Sequence, residues 1–172
     1  MLNAAENKER TARDAGLQEE MYLLREGASL RSLLSGEIVA GEKTGRLLTL
    51  RRDTCVEGVA GAGGIGLDDG RVLGGWCSFR CQLAVPRRFA AREGQRLVEG
   101  AQPEQIVSEL MRKVLTKLFA DVDLRAAAGD SQLKKQLSRR LQEEAARALI
   151  GAGWRITRCR LEKIQITRRE CS

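Results

Sequence analysis

The chain contains no histidine, and that absence removes Ser-His-Asp and Cys-His catalysis together with every histidine metal site. Aromatic residues make up only 3% of its 172 positions, which counts against the base-stacking platforms that grip single-stranded nucleic acid. No apolar run approaches the roughly 20 residues a helix needs to cross a bilayer. The five cysteines, Cys55, Cys77, Cys81, Cys159 and Cys171, are odd in number and irregular in spacing. With no recognisable signal peptide, they read as reduced thiols in a cytosol and not as a disulfide framework. Cys77 and Cys81 stand four apart on an expected strand, about 13 Å from each other. That is too far for a disulfide or a shared metal, so both are expected in the core.

What is present describes a globular chain. Hydrophobic residues account for 42% and charged residues for 31%, enough to bury a core and solvate a surface. The formal net charge is +7, from 30 basic and 23 acidic residues. An excess of that sign favours anionic lipid headgroups, nucleic acid or an acidic protein, and does not choose among them.

Residues 1–20 are polar and mixed in charge, and are expected to form a flexible arm. Short apolar pieces follow, Met21 to Leu24, Leu30 to Leu34, Glu37 to Ala40 and Leu47 to Leu50. Gly27, Gly36, Gly41 and Gly45 punctuate them, as in strands joined by tight turns. The glycine-rich stretch 57–70 reads as a flexible loop. From Cys77 to Val85 buried and wet residues alternate, which predicts a strand that Pro86 ends. Pro103 and Glu104 open a helix whose apolar stripe runs from Ile106 to Leu118. Asp130 or Ser131 caps a second long helix carrying Leu133, Leu137, Leu141, Ala145, Ala148 and Leu149 on one face. Its wet side offers Arg139–Glu143, Arg140–Glu144 and Glu143–Arg147 at i,i+4. Gly151-Ala152-Gly153 stops that helix, and a strand from Trp154 closes near Ile166. The order predicts an α+β fold with a curved, mostly antiparallel sheet, two long helices on one side and a C-terminal strand. A single domain is expected over 21–166, with a basic tail over 167–172.

Three apparent motifs fail on physical grounds. Gly61-Ala62-Gly63-Gly64-Ile65-Gly66 has the letters of a dinucleotide fingerprint. It is followed by Asp68-Asp69-Gly70, a turn that would repel an anion, where the mechanism needs a helix N-terminus. Gly36 to Thr44 puts Glu42 where a phosphate loop needs its lysine. The carboxylate pairs Asp68/Asp69, Asp121/Asp123 and Glu143/Glu144 diverge on strand or helix and read as turns and solvated faces. No catalytic residue, cofactor or metal ligand is assigned. The terminal strand does carry Arg155, Arg158, Arg160 and Lys163, with Arg168 and Arg169 beyond them. These form either a solvated strand face or a basic edge that docks on anionic lipid or nucleic acid.

Four fragments, in order, carry a resemblance. Leu24-Arg25-Glu26-Gly27 is similar to an opening "V-R-E-G-Q" strand, and Gly45 to Leu50 to a "G-R-Y-T-L" turn and strand. Gly75 to Phe89 is similar to "G-x-Y-S-F-R-V-x-D-P-x-x-F", with Val85 where the aspartate usually stands. Leu133 to Ile166 combines a leucine-spaced helix containing "L-Q-E-E-A-A" (Leu141 to Ala146), a glycine break and a strand with a "K-I-x-I" ending. Together, over roughly residues 20–166, these resemble the SPFH or band-seven superfamily of stomatins, prohibitins and flotillins. The nearest branch is the soluble bacterial one described as virion-core-like. The resemblance implies a non-enzymatic, oligomerising scaffold or adaptor in the bacterial cytoplasm, peripheral on the inner membrane face. It also implies a homo-oligomer or a partner of the same superfamily. The chain departs from it in lacking a hydrophobic anchor before the domain and a long coiled coil after Ile166. The alternative is a phage-associated or nucleic-acid-binding structural module that uses the same basic surface.

Overall fold

A computed structural model describes residues 19–25, 30–33, 45–66, 70–122 and 130–168. These residues form six strands and three helices, gathered into two compact units. Each unit draws on stretches of chain that are far apart in sequence.

In the first unit, β1 (Glu19–Arg25) lies between β2 (Leu30–Leu33) and β3 (Gly45–Arg51), antiparallel to both. Met21, Tyr22 and Leu24 of this central strand are buried. Helix α1 (Pro86–Val98) packs on the sheet, with the Leu24 and Leu48 side chains against its Gly94. Phe89 of α1 meets the Trp154 ring edge-on, with centroids 5.1 Å apart. Gly153 fixes the turn before that tryptophan, with φ at 85°, a conformation that side-chain-bearing residues rarely adopt.

The second unit orders its sheet β4-β5-β6, with β4 (Cys55–Gly66), β5 (Arg71–Leu83) and β6 (Trp154–Arg168). Helix α2 (Pro103–Ala120) packs on β4, and α3 (Asp130–Gly151) packs on α2. Leu73, Cys77, Phe79 and Cys81 of β5 are buried at alternate positions, as a half-buried strand requires. The stripe on α2 (Ile106, Val107, Met111, Leu115, Leu118, Phe119) and that on α3 (Leu133, Leu137, Leu141, Ala145, Leu149) are buried as their spacing predicts. No helix among the described residues is long and apolar enough to cross a membrane.

The α+β class stands, with three differences of detail. The strands divide into two three-stranded sheets instead of one. Residues 55–66, most of the expected glycine-rich loop, form strand β4. The glycines belong to its packing: a Cβ on Gly58 would lie 2.8 Å from the Phe79 ring, so only hydrogen fits beneath that aromatic. A register shift between Ala62 and Ile65 marks the glycine-dense end of the strand. The third difference is α1, where only a strand ending was expected. Its buried face includes Gly94 and Glu93 beside Phe89 and Ala90, which masks the helical stripe. Glu93 is held there between Arg92 at 3.3 Å and Arg96 at 3.2 Å.

Two expected ion pairs on α3 are replaced. Arg139–Glu143 forms at 3.2 Å, but Arg140 turns to Asp121, 3.9 Å away, and Arg147 takes Glu144 at 2.9 Å. The expected arm over residues 1–18, the Glu37–Ala40 strand, the Gly36–Thr44 near-match, the Leu124–Ala128 connector and the tail from Arg169 lie outside the described residues. Strand β1 begins at Glu19, inside the expected arm.

Candidate binding face on the second sheet

The second sheet has one face toward the helices and one toward solvent. Alternation sends the odd residues of β5 inward, and Phe119 of α2 lies 3.2 Å from where a Gly75 Cβ would be. The even residues Trp76, Ser78, Arg80 and Gln82 are left on the other side. On β4 the outward residues include Glu57 and Val59, and β6 supplies Arg155, Thr157, Arg160 and Glu162. Val59 is 64% exposed and Trp76 is 40% exposed, large apolar side chains that this unit's own core leaves uncovered. Register places Gly61 opposite Trp76, so the indole stands over a residue without a side chain.

All four sequence-predicted residues, Arg155, Arg158, Arg160 and Lys163, are exposed on β6. Arg155 Nη2 donates to the Gln82 side-chain oxygen at 2.7 Å, which orients the guanidinium without neutralising it. Lys163 Nζ sits 5.4 Å from the centre of the Trp76 ring, a cation–π contact that also leaves the charge intact. Arg160 approaches Glu162 at 3.8 Å, an exposed pairing of small energetic weight. Glu162 also accepts a hydrogen bond from Ser78 Oγ at 2.5 Å. Arg80 is taken by Glu57 at 2.8 Å. Among the described residues of this face, Arg80, Arg155, Arg160 and Lys163 therefore stand against Glu57 and Glu162, so the exposed surface is cationic.

A cleft of about 490 Å³ opens where β6, the start of β5 and the first turns of α3 meet. Arg71, Lys134, Lys163 and Glu162 line it with Leu133, Ile164 and Ile166. Lys134 Nζ donates to the Glu162 carbonyl at 3.0 Å, and Gln142 Nε2 to the Cys159 carbonyl at 3.3 Å. Side chains of α3 thus occupy backbone acceptors of the outer strand β6. The lining holds three cations and one carboxylate, a composition suited to an anionic group. No cluster of three or more metal-ligating side chains occurs among the described residues. The dinucleotide-like Gly61–Gly66 lies within strand β4 and precedes no helix, so it lacks the phosphate-binding geometry.

Sequence reasoning found the basic residues and missed Trp76. Its signal was present: the alternation that buries Cys77 and Phe79 puts Trp76 in the opposite phase. No protein-family model and no curated protein matches the chain.

Proposed function

We propose that this chain is a non-catalytic scaffold or adaptor module that docks the open face of its β4–β6 sheet on an anionic membrane surface. The observation that carries the reading is the exposed Trp76 flanked by Lys163, on a face whose cations outnumber its carboxylates. An indole beside a cation suits the headgroup boundary, where the ring enters the apolar layer and the charge meets phosphate. The likeness to SPFH proteins supports the same role and adds self-association, in the cytoplasm at the inner membrane face. Strand β4 is an outer strand of its sheet, an edge to which a further strand from a second copy or a related partner can add.

Charge-removing substitution of Arg155, Arg158 and Arg160 together should weaken sedimentation with vesicles containing anionic lipid by tenfold or more, on the order of 1 kcal/mol per charge. The circular dichroism spectrum and melting temperature should stay unchanged, because all three side chains are exposed. Unchanged vesicle binding would defeat the proposal. Strong, steeply salt-dependent binding to duplex DNA with none to vesicles would favour the nucleic-acid module instead.

A further inference from the structure

The cleft at the junction of α3, β5 and β6 joins charge to an apolar wall. Its volume of about 490 Å³ lies within the roughly 300–1,000 Å³ of small-molecule sites, more than one inorganic anion fills. Among the described residues its cations are Lys134 of α3, Lys163 of β6 and Arg71, the first residue of β5. Lys134 Nζ donates at 3.0 Å to the Glu162 carbonyl, the acceptor of the peptide that leads into Lys163. That bond uses one of three ammonium protons and ties both lysines to one point of the strand. Lys163 rests 5.4 Å from the centre of the Trp76 ring, which positions the ammonium without neutralising it. The carboxylate of the lining is already engaged. One Glu162 oxygen accepts from Ser78 Oγ at 2.5 Å, and the other lies 3.8 Å from Arg160 Nε. Leu133, which is buried, and the half-buried Ile164 and Ile166 complete the lining.

We propose that this cleft is a binding site for a phosphate monoester joined to an apolar chain, the chemistry of a phosphatidic-acid headgroup. A phosphate monoester carries about −1.5 to −2 charge at neutral pH and offers three acceptor oxygens. A phosphodiester headgroup carries a single charge, so the cations of the cleft favour the monoester. Leu133, Ile164 and Ile166 take the first carbons of the chain out of water. The ligand's source in a bilayer rests on the proposed membrane role, whereas the chemistry of the cleft does not.

The native full chain is titrated calorimetrically with dioctanoyl phosphatidic acid below its micelle concentration. Dioctanoyl phosphatidylglycerol, glycerol phosphate and inorganic phosphate are titrated beside it. The expected result is saturable binding of phosphatidic acid, tighter than that of the diester and of either chain-free phosphate. Lys134→Gln, shown to be folded by circular dichroism, should weaken that binding about tenfold, as loss of one hydrogen bond between charged groups implies. Lys134→Arg should restore it. Amide NMR shifts on binding should centre on Lys134, Lys163 and Ile164. Equal affinity for phosphatidylglycerol would overturn the monoester assignment. Equal affinity for glycerol phosphate would mean a soluble phosphate ester and overturn the apolar part of the site. Absence of saturable binding, or shifts centred on Arg155, Arg158 and Arg160, would overturn the site itself. Sedimentation of the same chain with phosphatidylglycerol vesicles separates this from the docking face. Vesicle binding without binding of soluble phosphatidic acid would remove the cleft and leave the face.

Discussion

Glu20, Tyr22 and Arg52 form a polar cluster in the first unit. The Tyr22 hydroxyl donates to the Glu20 carboxylate, and Arg52 holds the other carboxylate oxygen with Nη2 at 2.7 Å and Nε at 3.2 Å. Burial raises the Glu20 pKa, but the Tyr22 hydrogen bond and Arg52 outweigh it and leave the carboxyl below its ordinary 4.5. Burial first, and then Glu20, pushes the Tyr22 phenol far above its usual range. A depressed folded-state carboxyl contributes stability that is present above 4.5 and lost as pH falls through the folded value. The urea midpoint should therefore drop between about pH 5 and pH 3, and Glu20→Gln should flatten that part of the profile. For Tyr22 the sign is opposite, since its neutral form is the one the fold favours. Its contribution holds below pH 10 and is lost in stronger alkali. Replacing Tyr22 by Phe removes one hydrogen bond to a charged group and should cost about 1–2 kcal/mol in urea unfolding.

Helix α1 begins without the side-chain cap that most helices use. Val85 occupies its N-cap and makes no capping hydrogen bond, although Pro86 supplies the fixed φ that suits a first turn. This is the position where the SPFH-like pattern carries aspartate. Val85 is 42% exposed, so a carboxylate can be accommodated there. Val85→Asp should cap the first-turn N–H groups and complement the helix dipole, raising stability by about 0.5–2 kcal/mol in denaturant melts. A destabilised variant would mean that the valine packs better than an aspartate caps.

The same elements show what a single sequence can reveal. Helices α2 and α3 were legible because their apolar residues repeat at helical spacing over many turns, and nearly all of those positions are buried. Strand β5 was legible from Cys77 onward because its alternation is clean. Helix α1 was hidden because Gly94 and Glu93 sit on its buried side, and Glu93 is tolerated there only through Arg92 and Arg96. Strand β4 was hidden because its glycines resemble turn residues until the Phe79 ring over Gly58 is seen. At the site, the cations of β6 were legible as charges. Their company was not, because the pairing of Lys163 with Trp76 depends on which strands become neighbours.

For the molecule as a whole, the +7 charge gains meaning from its distribution. On α3 much of the charge is engaged locally, by Arg139–Glu143 and Arg147–Glu144. On the open sheet, Arg155 and Lys163 rest on neutral partners and keep their charge available. Attraction to an anionic surface should therefore fall steeply with salt, since exposed charges are screened over about 8–10 Å at physiological ionic strength. The two tryptophans separate the contributions. Trp154 is 1% exposed, so its emission should be that of a buried indole with or without lipid, whereas Trp76 is exposed and beside Lys163. The most direct measurement is tryptophan emission as anionic vesicles are added, with zwitterionic vesicles as the control. The account predicts a blue shift with anionic lipid alone, reversed by salt and absent in Trp76→Ala. An emission spectrum unmoved by anionic vesicles would contradict it.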